Sequence, residues 1–96
     1  MSRSFWTRPA RSDLTAFADY YREAAPGFAY RLGQALTAAA RFLAEHPRAG
    51  PDLGEGIRKW RVPRTQYIML YRVVPDGIEI LRIHHLRQNW RLVPGE

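Results

Sequence analysis

The hydrophobic period of this chain changes once, at residue 57, and that change constrains the fold more than any other feature. Before it, Ala10, Leu14, Phe17 and Tyr21 recur at i, i+4, i+7 and i+11, and Ala29, Leu32, Leu36, Ala39 and Leu43 alternate steps of three and four. Both are the stripes of amphipathic helices, and the second, rich in alanine, suits two antiparallel helices packed closely. After residue 57 the period is two: Ile57–Val62, Gln66–Val73 and Ile78–Leu86 read as strands rich in Ile, Val, Tyr and Trp. A chain that is helical first and extended afterwards buries both patterns by laying a helical hairpin on one face of a sheet.

The punctuation agrees. Ser2–Trp6 reads as a short strand, Thr7 as a helix cap with Pro9 in the first turn, and Asp13 as a negative charge near that positive helix end. Ala25-Pro26-Gly27 separates the helices, and a second helix is expected over Pro26–Glu45, stopped by His46-Pro47. Pro47, Gly50, Pro51, Gly54 and Gly56 make the next ten residues a loop, while Pro63-Arg64-Thr65 and Pro75-Asp76-Gly77 turn successive strands into hairpins. Tyr67–Tyr71 is apolar on both faces, as a central strand must be. The expected fold is α+β: an N-terminal strand, a helical hairpin and a mainly antiparallel three-strand sheet, in one domain over residues 1–96.

At 96 residues such a domain buries only roughly 60 to 65% of its unfolded surface, so a partner that covers apolar area matters. The chain has no cysteine, which removes disulfide and thiolate chemistry, and its three histidines make a poor metal site; no metal or cofactor is expected. The start, Met1–Trp6, lacks an apolar stretch before a cleavage site, and the uncharged run Leu32–Ala40 is too short to span a bilayer. The expected location is the cytoplasm, with no membrane partner.

The net charge of +6 is uneven: residues 1–56 carry seven Arg against six acids, whereas residues 57–96 carry eight Lys/Arg against three. An anionic partner, nucleic acid or an acidic protein segment, is therefore expected at the sheet. The helices contribute something else. Phe28, Ala35 and Phe42 form a second row, seven residues apart, beside the packing stripe of the second helix. A partner helix could bury it.

The pieces together resemble the RelE/ParE toxin superfamily over Phe5 to Trp90. The opening Thr7-Arg8-Pro9-Ala10-Arg11-Ser12-Asp13-Leu14 is similar to a family pattern of capping Ser/Thr, alanine and Asp-Leu, and Phe42–Gly50 resembles the usual end of the second helix. More specific is the order and spacing of Ile57–Val62, Tyr67–Val73 and Ile78–Arg87. The resemblance implies the toxin of a type II toxin–antitoxin pair, a class linked to plasmid stabilization, neutralised by a small ParD-like or similar antitoxin. The superfamily holds two activities: RelE-like members cut messenger RNA in the ribosome, and ParE-like members poison DNA gyrase.

Cutting RNA through its 2′-hydroxyl needs a base, cations on the phosphate and an acid for the leaving oxygen. Arg61, Arg82, His85 and Arg87 are the candidates if the chain is RelE-like. The set is short, because the sheet half has one lysine, Lys59, and Trp90 stands where a proton-transferring tail residue would be. Alternation also sends His84 and His85 to opposite faces, and His85-Leu86-Arg87 resembles the His-x-Arg ending of ParE-like members. The ParE-like reading therefore names no catalytic residue. It assigns Arg58, Arg61, Arg82, Arg87 and Trp90 to the target surface, with the tail Asn89–Glu96 close by, and Phe28, Phe42 and Arg72 to the antitoxin; Trp60 faces the core. Two other classes stay open: a non-toxic protein-binding module, which needs the apolar row but not the basic sheet, and an unrelated RNA-binding protein, which wants exposed aromatics between its arginines.

Overall fold

The computed structural model describes residues 2–87; Trp90 and the tail Asn89–Glu96 lie outside the described residues. The elements are β1 (Arg3–Trp6), α1 (Arg8–Ala24), α2 (Pro26–Glu45), β2 (Asp52–Gly54), β3 (Ile57–Arg61), β4 (Tyr67–Val74) and β5 (Gly77–His85). The strands form one sheet in the order β1-β5-β4-β3-β2, with β1 parallel to β5 and the other pairs antiparallel. This is the expected α+β fold, with one strand more. β2 falls in the stretch expected to be loop, because Gly54-Glu55-Gly56 is a tight reversal with φ of 56° at Glu55 and 79° at Gly56. So short a turn lays the residues before it along β3, pairing Asp52 with Arg58.

Helix α1 starts as its sequence dictates: the Thr7 side chain accepts from the Ala10 N–H, and Pro9 sits in the first turn, where no backbone donor is needed. Asp13 departs from expectation. It lies beyond the first turn, and its carboxylate reaches across to β5 instead of serving the helix end. Helix α2 buries Leu32, Leu36, Ala39, Ala40, Leu43 and Ala44 against Met69, Tyr71, Ile78, Ile80 and Ile83 of the sheet. Each fully buried leucine contributes about 2 kcal/mol, and the alanines let the helix approach closely.

Two local irregularities position the rest. Gly77, at φ 149°, opens β5 where any Cβ would collide with the Arg3 backbone, so glycine is what allows β1 to dock in parallel. A bulge opposite Leu70/Tyr71 then shifts the phase of β5, so that Ile80 and Ile83 both face the helices with Leu81 and Arg82 between them. Simple alternation misses this slip. On the face away from the helices, Ile68 and Leu70 form a small second cluster with Leu86.

Candidate functional site

Three of the expected basic contacts are tied into the fold. Arg82 donates from Nε and a terminal nitrogen to the two carboxylate oxygens of Asp13, at 2.8 and 3.0 Å, while Asp13 also accepts the Ile83 N–H at 2.9 Å. Beyond the end of β1, where β5 has no strand beside it, Thr7 and Asp13 thus satisfy its edge: Thr7 N–H bonds the Ile80 carbonyl and its hydroxyl bonds that of Leu81. These bonds to Asp13 hold the Arg82 guanidinium charged more firmly still. Arg58 faces the helix side and donates to the Gly50 carbonyl at 2.6 Å, beside a buried Tyr71 whose hydroxyl donates to the Pro47 carbonyl and accepts the Gly50 N–H. Arg72, next to Tyr71 and hence on the opposite face, pairs with Glu79 at 2.7 Å. It does not join Phe28 and Phe42.

Those two phenylalanines do come together. Phe28, Ala35 and Phe42 line a groove of about 740 Å³ between α2 and the β3–β4 turn, closed on its other side by Trp60, Pro63 and Arg64. Trp60, expected in the core, packs against it but is only half-buried. Its ring stacks on Phe42 at 5.3 Å, Phe42 in turn lies against His46 at 4.7 Å, and its buried Nε1 has no hydrogen-bond partner among the described residues.

A second, more polar cleft of about 780 Å³ opens at the Phe28 end of the groove. Arg61, Arg64, Tyr21, Tyr67 and His85 line it, and among the described residues no carboxylate does. The Tyr21 and Tyr67 hydroxyls are 3.1 Å apart. Burial, and then the bond to Tyr21, push the Tyr67 phenol well above the ordinary tyrosine range, so it keeps its proton. His85 lies edge-on to the Tyr67 ring at 5.1 Å, and its Nδ1 accepts the Arg87 N–H, which places the neutral ring's proton on Nε2.

Sequence reasoning missed Tyr21 and Tyr67 as site residues because their spacing marks core. It passed over Arg64 as a turn residue, yet a signal was present. Pro63-Arg64 stands where a type II turn follows proline with a residue of positive φ, normally Gly or Asn, and Arg64 does have φ 61°. His84 and His85 face opposite sides as expected, His84 buried and His85 half-buried; Arg61 and Arg87 are exposed. Among the described residues no group of His, Asp and Glu is placed to hold a metal ion, and no helix is long and apolar enough to cross a membrane.

Residues 5–90 match the family model described as the ParE toxin of the type II toxin–antitoxin system parDE. The chain is 35% identical to Toxin RelE2 of Caulobacter vibrioides over 85 residues, covering 88% of this chain and 96% of that protein. Toxin RelE3 of the same organism is 33% identical over 78 residues, 79% of this chain and 85% of that one. A solved structure titled as the chromosomal ParDE toxin–antitoxin system from P. aeruginosa superposes with a TM-score of 0.74 at 30% identity, over 88% of this chain and 96% of that one. In sequence and fold alike, this chain belongs to the ParE toxin family of type II toxin–antitoxin systems.

Proposed function

We propose that the chain inhibits DNA gyrase and is kept inactive by an antitoxin encoded beside it. The observation that carries this reading is the state of the basic sheet. Cutting RNA would need a cluster of cations around one phosphate, but Arg82 is held in both directions by Asp13, Arg58 is bound to the Gly50 loop and Arg72 is paired with Glu79. Arg61, Arg64 and Arg87 are exposed at the sheet end, where they can meet a protein target.

One observation favours the RelE-like alternative: Arg61 and His85 line one cleft with two tyrosine hydroxyls, an arrangement that could hold a phosphate and move a proton. The two Caulobacter relatives also carry the RelE name. The test is a gyrase supercoiling and cleavage assay with the purified chain, run beside cell-free translation. Accumulated cleaved DNA with intact message is expected; arrested translation with cut message would replace gyrase by the ribosome and its messenger RNA. Both targets are cytoplasmic, so the cytoplasm is the proposed place of action.

The antitoxin's contact is the groove. Phe28, Ala35 and Phe42 present one apolar side of α2, with Trp60 opposite, and a partner helix could lay its apolar face there. Ala35→Glu, which sets a charge in its middle, is expected to abolish antitoxin binding without unfolding the chain, since the position is already partly exposed. Unchanged binding would move the contact elsewhere.

A further inference from the structure

The apolar groove and the polar cleft adjoin. They share Phe28, Pro63, Arg64 and Thr65, so a segment lying along α2 from Phe42 towards Phe28 arrives at the tyrosine pair. What it meets there is built to receive an acceptor. Two hydroxyls that share one hydrogen bond hold two protons, and only one of them lies between the oxygens. Whichever of Tyr21 and Tyr67 donates, the other's proton has no acceptor among the described residues, although Tyr67 is almost wholly buried. The cleft's charge comes from Arg61 and Arg64, and among the described residues no carboxylate lines it.

Arg64 makes the same point from the backbone. An L-residue held at φ 61° costs on the order of 1 kcal/mol relative to glycine, and the turn is already secured by the Thr65 hydroxyl, which bonds the Val62 carbonyl and accepts the Tyr67 N–H. A long cationic side chain at this strained position stands at the junction of groove and cleft.

We propose that the polar cleft receives a carboxylate side chain of the antitoxin segment: Arg61 and Arg64 supply the charge, and the Tyr21–Tyr67 pair supplies an O–H donor. The proposal rests on the reading of the groove as the antitoxin's contact. An acidic peptide fits the groove and cleft better than nucleic acid does, because the groove offers Phe28, Ala35, Phe42 and Trp60 to apolar side chains beside the two arginines of the cleft. The protonated state of Tyr67 suits this role, since only a neutral phenol can donate to an anion. Filling the site would also cover Arg61, which links neutralisation to the surface assigned to the target.

The experiment measures binding of the antitoxin encoded beside this chain by titration calorimetry at low and moderate salt, with the full-length chain as wild type, Arg64→Gly, Tyr67→Phe and Ala35→Glu. Arg64→Gly is expected to bind at least tenfold more weakly, with a shallower salt dependence, while its thermal midpoint stays level or rises because the strain is gone. Tyr67→Phe keeps the ring and is expected to weaken binding severalfold. If both variants stay within twofold of wild type while Ala35→Glu abolishes binding, the carboxylate site is wrong and the groove stands. If Ala35→Glu also binds normally, both readings fall. If Arg64→Gly loses growth inhibition but keeps antitoxin affinity, the cleft belongs to the target and the proposal is overturned.

Discussion

The edge of β5 and the β3–β4 turn lie on opposite sides of β4, and both carry arginine, yet they use it in opposite ways. Along β5 the Arg82 guanidinium is matched oxygen for nitrogen by Asp13, half-buried, with the neighbouring N–H satisfied by the same carboxylate. At the turn, Arg61 and Arg64 are exposed above a cleft that no acid among the described residues lines, one of them on strained backbone. A surplus of cations in a sequence therefore does not equal a binding surface. Part of it is internal structure, and what remains after matching is the part a partner can use.

Breaking the matched side should cost most. Asp13→Ala leaves the Arg82 cation and the Ile83 N–H without their acceptor, and about 2 to 4 kcal/mol of stability should disappear in urea denaturation. A variant as stable as wild type would mean that this edge is no more tightly held than the turn. Tyr71→Phe comes next: the Gly50 N–H and Pro47 carbonyl lose a common partner in the interior, for a loss of about 1 to 3 kcal/mol by the same measurement.

Alkaline titration sharpens the comparison inside the core. The Tyr67 phenol is raised by burial and by Tyr21, and the Tyr71 phenol by burial, offset in part by the Gly50 N–H and by Arg58. A group whose folded pKa is raised holds its proton more tightly when folded, so its contribution is complete below the ordinary tyrosine value of about 10 and is lost as pH climbs above it. The urea midpoint should be flat from pH 8 to about 9.5 and fall beyond it, and Tyr67→Phe should flatten part of that fall. The smallest effect belongs to the turn itself, where Arg64→Gly should raise stability by up to about 1 kcal/mol, against the usual direction for a substitution.

On both sides of this comparison the local elements were legible in the sequence and the long-range contacts were not. Thr7 and Pro9 fixed the start of α1, and the seam from Leu32 to Leu43 fixed the buried face of α2, because capping and helical period act over a few residues. The row Phe28, Ala35, Phe42 was legible for the same reason, and it does line one groove. Arg82 with Asp13 was not: the two are far apart in the chain and meet only in the fold. β2 escaped because glycines around Glu55 read as loop until the turn is seen to be two residues wide. The cleft escaped because its tyrosines also belong to the core pattern, and only the fold brings α1, the β3–β4 turn and the end of β5 together.

The basic residues divide into those matched within the fold and those left for partners, and on the proposed reading the second group carries toxicity. Growth inhibition by Arg61→Gln and Arg72→Gln, expressed without antitoxin at matched levels and with folding confirmed, tests this directly. Arg72 faces Glu79 at the surface, where such a pair contributes less than about 1 kcal/mol, so both variants should fold. Arg61→Gln is expected to lose growth inhibition at least tenfold while Arg72→Gln inhibits like wild type. Equal toxicity in the two variants, or loss in Arg72→Gln alone, would contradict it.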